Sequence, residues 1–180
     1  MIAVGDEFGV IRTVKRPNDS GWDGAVASGL FGQRDKAHGV SSLSTASVAD
    51  HAIVMAARVN GTVTIHSQNT FTELGRLDVS GACGVVAALL TPAADKVIAA
   101  CEDGRLDVQK LQLSDDMKLT AETCLSIDTR TALSCCATTT STCLAVGGQG
   151  KEITTWDLSS GTNMIRKQAT VPSVIGRAWL

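Results

Sequence analysis

Leu144 to Leu158, LAVGGQGKEITTWDL, reads as a strand, a tight polar turn and a second strand that closes on Trp156-Asp157. Three other stretches repeat the outline: Ile2 to Arg16 (IAVGDEFGVIRTVKR), Val54 to Gln68 (VMAARVNGTVTIHSQ) and Val97 to Leu111 (VIAACEDGRLDVQKL). Gly9, Gly61 and Gly104 share one slot, with Lys151 as its fourth occupant, and successive copies stand 52, 43 and 47 residues apart. Two positions after the slot come Ile11, Val63, Leu106 and Ile153, and four positions after it Thr13, Ile65, Val108 and Thr155. Between them lie Arg12, Thr64, Asp107 and Thr154. Side chains alternate faces along a strand, so each second strand has one apolar and one mostly polar face. The glycine has a mechanical reason: a hairpin turn needs positive φ, which glycine adopts without a Cβ clash. Asn60-Gly61 and Asp103-Gly104 are strong hairpin signals.

The period lies near the ~40–45 residues of a WD repeat, which folds as the four strands of one propeller blade. With Trp156-Asp157 in place, Thr91-Pro92 and Asp103-Gly104 at the turns of Val85 to Leu111, and His38-Gly39 ahead of the second copy, the chain resembles a WD40-repeat β-propeller. The copies are degenerate: the Trp slot holds Val14, His66 and Gln109 elsewhere, and the Asp before the glycine survives only as Asp103. The expected fold is all-β, a single segment over residues 1–180 with about four blades near 1–31, 38–80, 83–127 and 131–171. WD40 rings most often have seven blades, so the expectation is a partial or open ring: a fragment, a chain completed by a partner, or a four-bladed ring. An open array with an unpaired face should be poorly stable or self-associate.

Short strands bounded by polar turns run the length of the chain, including an outer strand at Ala25 to Phe31 inside the Gly-rich stretch Pro17 to Gly39. With 44% hydrophobic and 19% charged residues the composition is that of a globular chain with a real core. A net charge of −2 argues against non-specific nucleic-acid binding by the whole surface, leaving only indirect contact or a local patch. Three Phe, three Trp and no Tyr are too few for a stacking platform. No apolar run approaches the ~20 residues of a membrane span, and the start at Met1 carries no signal-peptide pattern, which points to a reducing, intracellular setting.

The six cysteines, at 83, 101, 124, 135, 136 and 143, form no CxxC pair and have no His at ligand spacing. Cys101, Cys135, Cys136 and Cys143 fall on apolar strands, where a free Cys packs as a small hydrophobe, so no metal is expected. Gly147-Gly148-Gln149-Gly150-Lys151 looks like a phosphate loop, but Glu152 follows the lysine and a strand follows the turn, where a P-loop needs Ser or Thr and a helix. No catalytic residue and no cofactor is indicated, and the chain is read as a non-enzyme. Candidate partner-binding residues are Trp22, in a Gly/Asp setting suited to an exposed anchor, and Arg12, Arg58, Arg105 and Lys151, charges in or beside the turns that would line one rim.

The opening IAVGDEFGVIRTV and the later LAVGGQGKEITTWDL are together similar to one subgroup, the nucleolar WD-repeat assembly factor of the large (60S) ribosomal subunit. That resemblance covers about thirty residues well. It implies a scaffold in rRNA processing, pre-60S assembly factors as protein partners, and residence in the nucleolus and nucleus. The alternatives are a generic WD40 adaptor in another complex, and a ligand-binding or enzymatic propeller, which would need convergent polar groups at a central channel.

Overall fold

The computed structural model describes residues 2–15, 26–31, 38–79, 83–114, 116, 118–138, 140–149 and 152–168. Among these every regular element longer than a single residue is a strand. The first sheet holds β1 (Ile2–Gly5), β2 (Ile11–Lys15) and β3 (Val26–Phe31) in that order. The second holds β4 (Val40–Val48), β5 (His51–Arg58), β6 (Thr62–Ser67) and β7 (Glu73–Asp78). The third holds β8 (Val85–Leu90), β9 (Lys96–Cys101), β10 (Arg105–Leu113) and β11 (Leu119–Asp128). The fourth holds β12 (Leu133–Thr138), β13 (Cys143–Gly148), β14 (Glu152–Asp157) and β15 (Asn163–Gln168). Each sheet is an antiparallel meander in which consecutive strands pair.

The turn at the glycine slot is the same structure three times over. The amides of Gly9, Gly61 and Gly104 donate to the carbonyls of Asp6, Arg58 and Cys101, three residues back, at 3.1, 3.2 and 3.1 Å. All three glycines take positive φ, at 84°, 85° and 98°. A Cβ on Gly104 would also stand 2.7 Å from the carbonyl oxygen of Thr131, so the third sheet reaches the fourth over a glycine backbone. The second repeated feature is a β-bulge between the last two strands of every sheet. It falls between Thr13 and Val14, Ile65 and His66, Val108 and Gln109, and Thr155 and Trp156. Those are the fourth and fifth positions after the slot in all copies, which fixes Lys151 as the slot of the fourth, although Lys151 itself lies outside the described residues. Bulges strengthen the local twist of a ladder, so each outer strand is turned in the same way relative to its inner neighbours.

The sheets pack in chain order. Ile11 of the first sheet meets Val54 and Ala56 of the second. Met55, Ala57, Val63 and Ile65 of the second meet Val97 and Ala99 of the third. Ile98, Ala100, Leu106 and Val108 of the third meet Leu144, Val146 and Trp156 of the fourth. Alternation makes this stacking possible: Val54 and Met55, or Val97 and Ile98, are chain neighbours that point to opposite faces and so into two different cores. Inner strands are also tied by hydrogen bonds across a boundary. Ser41 Oγ donates to the Val85 carbonyl, and Ser44 Oγ donates to the Ala88 carbonyl at 2.9 Å. Up-and-down antiparallel sheets packed face to face in chain order are blades of a β-propeller.

Candidate functional site

The three interior boundaries define what each face requires, and the two outermost faces do not receive it. Ile11, Val63 and Leu106 are each 0% exposed, whereas Ile153, in the same position of the fourth sheet, is 45% exposed. Ile165, the cross-strand partner of Thr155 on that face, is exposed as well, and Met164 beside it is 57% exposed. At the other end, Val4 is 54% exposed, while its counterparts Ala56, Ala99 and Val146 are buried. The open face of the fourth sheet is therefore apolar and built like three faces that are covered. The outward face of the first sheet carries Val4 beside its cross-strand partner Arg12, which is exposed.

The arginines expected to share one rim have different places. Arg12 is a surface residue on β2. Arg58 is 2% exposed, which corrects its assignment as a partner-binding residue. Its Nε donates to Thr64 Oγ1 at 3.0 Å, and its Nη1 donates to the carbonyls of Gly9 at 3.0 Å and His38 at 2.7 Å. The guanidinium thus clamps the slot turn of the first sheet onto the second. Burial pushes its pKa down, with the Arg76 charge adding to the effect. A buried cation is kept when hydrogen bonds satisfy it. Trp22 and Lys151 lie outside the described residues.

Arg105 is half-buried and belongs to a cluster that residue spacing does not reveal. Its Nε lies 2.8 Å from Asp103 Oδ2, and its Nη2 lies 3.0 Å from Cys83 Sγ. The sulfurs of Cys83 and Cys101 and a carboxylate oxygen of Asp103 all fall within 4.8 Å of one another. The third sheet assembles the group. Cys101 ends β9, Asp103 occupies the β9–β10 turn, and Cys83 leads into β8, held there by the Glu102 amide donating to the Gly84 carbonyl at 3.0 Å. Burial and the Cys83 thiol beside it raise the pKa of Cys101. Burial acts to raise Asp103, but hydrogen bonds from the Arg105 amide and guanidinium outweigh it and hold the carboxyl below the usual carboxylate range. Two sulfurs and one carboxylate oxygen form a donor set suited to a soft divalent ion. The guanidinium already supplies positive charge to two of those three atoms.

The Gly147-Gly148 stretch, Trp156 and His66 have structural surroundings. A strand, β14, follows Gly147-Gly148, so no helix terminus is available to cradle a phosphate there. Trp156 is buried, and its Nε1 donates to Thr154 Oγ1 at 2.9 Å. His66, in the corresponding slot of the second sheet, is 3% exposed, and burial lowers its pKa to about 4.

In comparisons by sequence, no family model and no curated protein matches the chain. Solved structures do. The Cps50 (Swd1) β-propeller domain of Myceliophteria thermophila superposes with a TM-score of 0.77 at 12% identity, over 97% of this chain and 57% of that one. Raptor of Chaetomium thermophilum superposes with a TM-score of 0.70 at 13% identity, over 97% of this chain and 15% of that one. The chain therefore spans little more than half of the first and a small part of the second. At these identities the likeness carries the fold, a WD40-like β-propeller segment.

Proposed function

We propose that the chain is a non-catalytic scaffold that binds other proteins, and that it serves in assembly of the large ribosomal subunit. One observation carries the scaffold reading: the open face of the fourth sheet, where Ile153 is exposed although its equivalents Ile11, Val63 and Leu106 are fully buried, with Ile165 exposed on the same face. The three covered faces define the partner's chemistry. Each is covered by aliphatic side chains of a neighbouring strand: Val54 and Ala56, Val97 and Ala99, or Leu144 and Val146. The surface that fits Ile153 is therefore a protein surface of the same kind, an Ala- and Val-rich sheet face.

The assembly role rests on the resemblance carried by Ile2 to Val14 and Leu144 to Leu158. The same reading has the protein reside in the nucleolus and nucleus, with pre-60S assembly factors as partners and with RNA contacted indirectly or through a local patch. The test is to tag the protein at its own locus and sediment the lysate through a sucrose gradient. Co-sedimentation with pre-60S particles is the expected result. A small free species with no nuclear signal would overturn the ribosomal assignment and leave a generic WD40 adaptor. An Ile153→Lys variant tests the scaffold reading separately, since it should leave any particle the wild type joins. If it stays bound, the open face is not the docking surface.

A further inference from the structure

We propose that Cys83 and Cys101 are a reversible dithiol–disulfide pair in which Cys83 is the sulfur that meets a peroxide first. The two sulfurs belong to a group whose ligand atoms all lie within 4.8 Å of one another, so bond formation asks for side-chain rotation and a small backbone adjustment. The pair is asymmetric. Cys101 is fully buried at the end of β9, whereas Cys83 is half-buried and has the Arg105 Nη2 donating to its sulfur at 3.0 Å. A guanidinium in that position stabilises negative charge on the sulfur as it attacks. Asp103 Oδ2, 2.8 Å from Arg105 Nε, holds the guanidinium in place. A half-buried cysteine beside a cation, with a second, fully buried thiol next to it, is the arrangement of a peroxide-reactive cysteine and its resolving partner.

The chemistry balances with hydrogen peroxide as the oxidant. Cys83 sulfur attacks one peroxide oxygen, the O–O bond breaks, and the leaving hydroxide takes the thiol proton to become water. Cys83 is then a sulfenic acid. Cys101 sulfur attacks Cys83 sulfur, the S–O bond breaks, and the Cys101 proton leaves with that hydroxide as a second water. Two electrons pass from the thiols to the peroxide, and a thiol reductant of the glutathione class reverses the step. The crosslink would tie the segment ahead of β8 to the end of β9. That is where the third sheet meets the second, since the Val59 carbonyl oxygen lies 3.1 Å from where a Cβ on Gly84 would stand.

The test is to reduce the purified chain, free it of metal, treat it with hydrogen peroxide and map the cysteines by mass spectrometry. The expected product has lost two hydrogens and carries one Cys83–Cys101 crosslink. Cys101→Ser should stop at a Cys83 sulfenic acid that dimedone traps, and Arg105→Met should slow Cys83 modification by roughly tenfold. If the exposed Cys124 or the Cys135, Cys136 and Cys143 set oxidises first, or if Arg105→Met leaves the rate unchanged, the proposal fails. Stoichiometric zinc that binds the reduced chain and protects Cys83 and Cys101 would also overturn it, in favour of a metal site. The wild-type crosslink map decides the matter even if a variant fails to fold.

Discussion

Single buried polar residues set much of this protein's response to its surroundings. His66 stands where the fourth copy has Trp156, on β6 with Glu73 as its cross-strand partner. Burial is the largest influence on its charge. The Glu73 carboxylate opposes that influence, and Arg58 and Arg76 add to it, leaving the folded-state pKa at about 4 against an ordinary 6.5. Below pH 6.5 the unfolded chain binds a proton at this position that the folded chain does not, so stability is fully present above that pH and is lost as pH falls toward 4. The difference corresponds to roughly 2–3 kcal/mol by pH 4.5. Urea denaturation of the wild type and His66→Gln at pH 7 and pH 4.5 isolates it, because carboxylate contributions are common to both proteins. The wild type should lose stability more steeply; equal slopes would show that His66 takes its proton inside the fold.

The same slot in four copies turns the strand into a controlled comparison. Leu106 of β10 and Ile153 of β14 occupy one position of one repeat, yet Leu106 is sealed between the third and fourth sheets and Ile153 faces outward. Leu106→Ala should cost about 2–5 kcal/mol, the range for a buried Leu truncation that leaves a cavity. Ile153→Ala should cost less than about 1 kcal/mol in the isolated chain, since little contact is removed. Chemical denaturation measures both, and a large loss at Ile153 would mean that the face is covered in solution. This contrast also marks how far the sequence could be read. Period-two alternation and turn chemistry placed the strands within a few residues, and the glycine slot anticipated three turns of one geometry. Which face is covered depends on neighbours that no single repeat contains. Arg58 stands beside a turn, where a charge is expected at a rim, and only the stacking of two sheets shows the carbonyls of Gly9 and His38 that receive it. Cys83 and Cys101 escaped a spacing rule written for metal knuckles because the β8–β9 hairpin, not a short CxxC turn, brings them together.

At the scale of the molecule the described cores each join sheets adjacent in the chain, so stability is distributed as in a repeat array: intrinsic terms for each sheet plus one term for each boundary. The second and third sheets have two covered faces: Val54 is buried against the first sheet, Met55 and Val97 share the core between the second and third, and Ile98 is buried against the fourth. The first and fourth sheets have one covered face each, leaving Val4 at one end and Ile153 and Ile165 at the other exposed. Opening the fourth sheet breaks one boundary, whereas opening the third breaks two. Native-state amide exchange should therefore be slowest in β5, β6, β9 and β10 and faster in β13 and β14, even though the hydrogen-bonded ladders are alike. Hydrogen–deuterium exchange read by mass spectrometry resolves these strands. Equal protection across all four would mean that the stack unfolds as one unit and that the end boundary counts for as much as two. A partner seated on Ile153 supplies the missing boundary, so its arrival should slow exchange in β13 and β14 to the level of β9 and β10 and leave the second sheet unchanged.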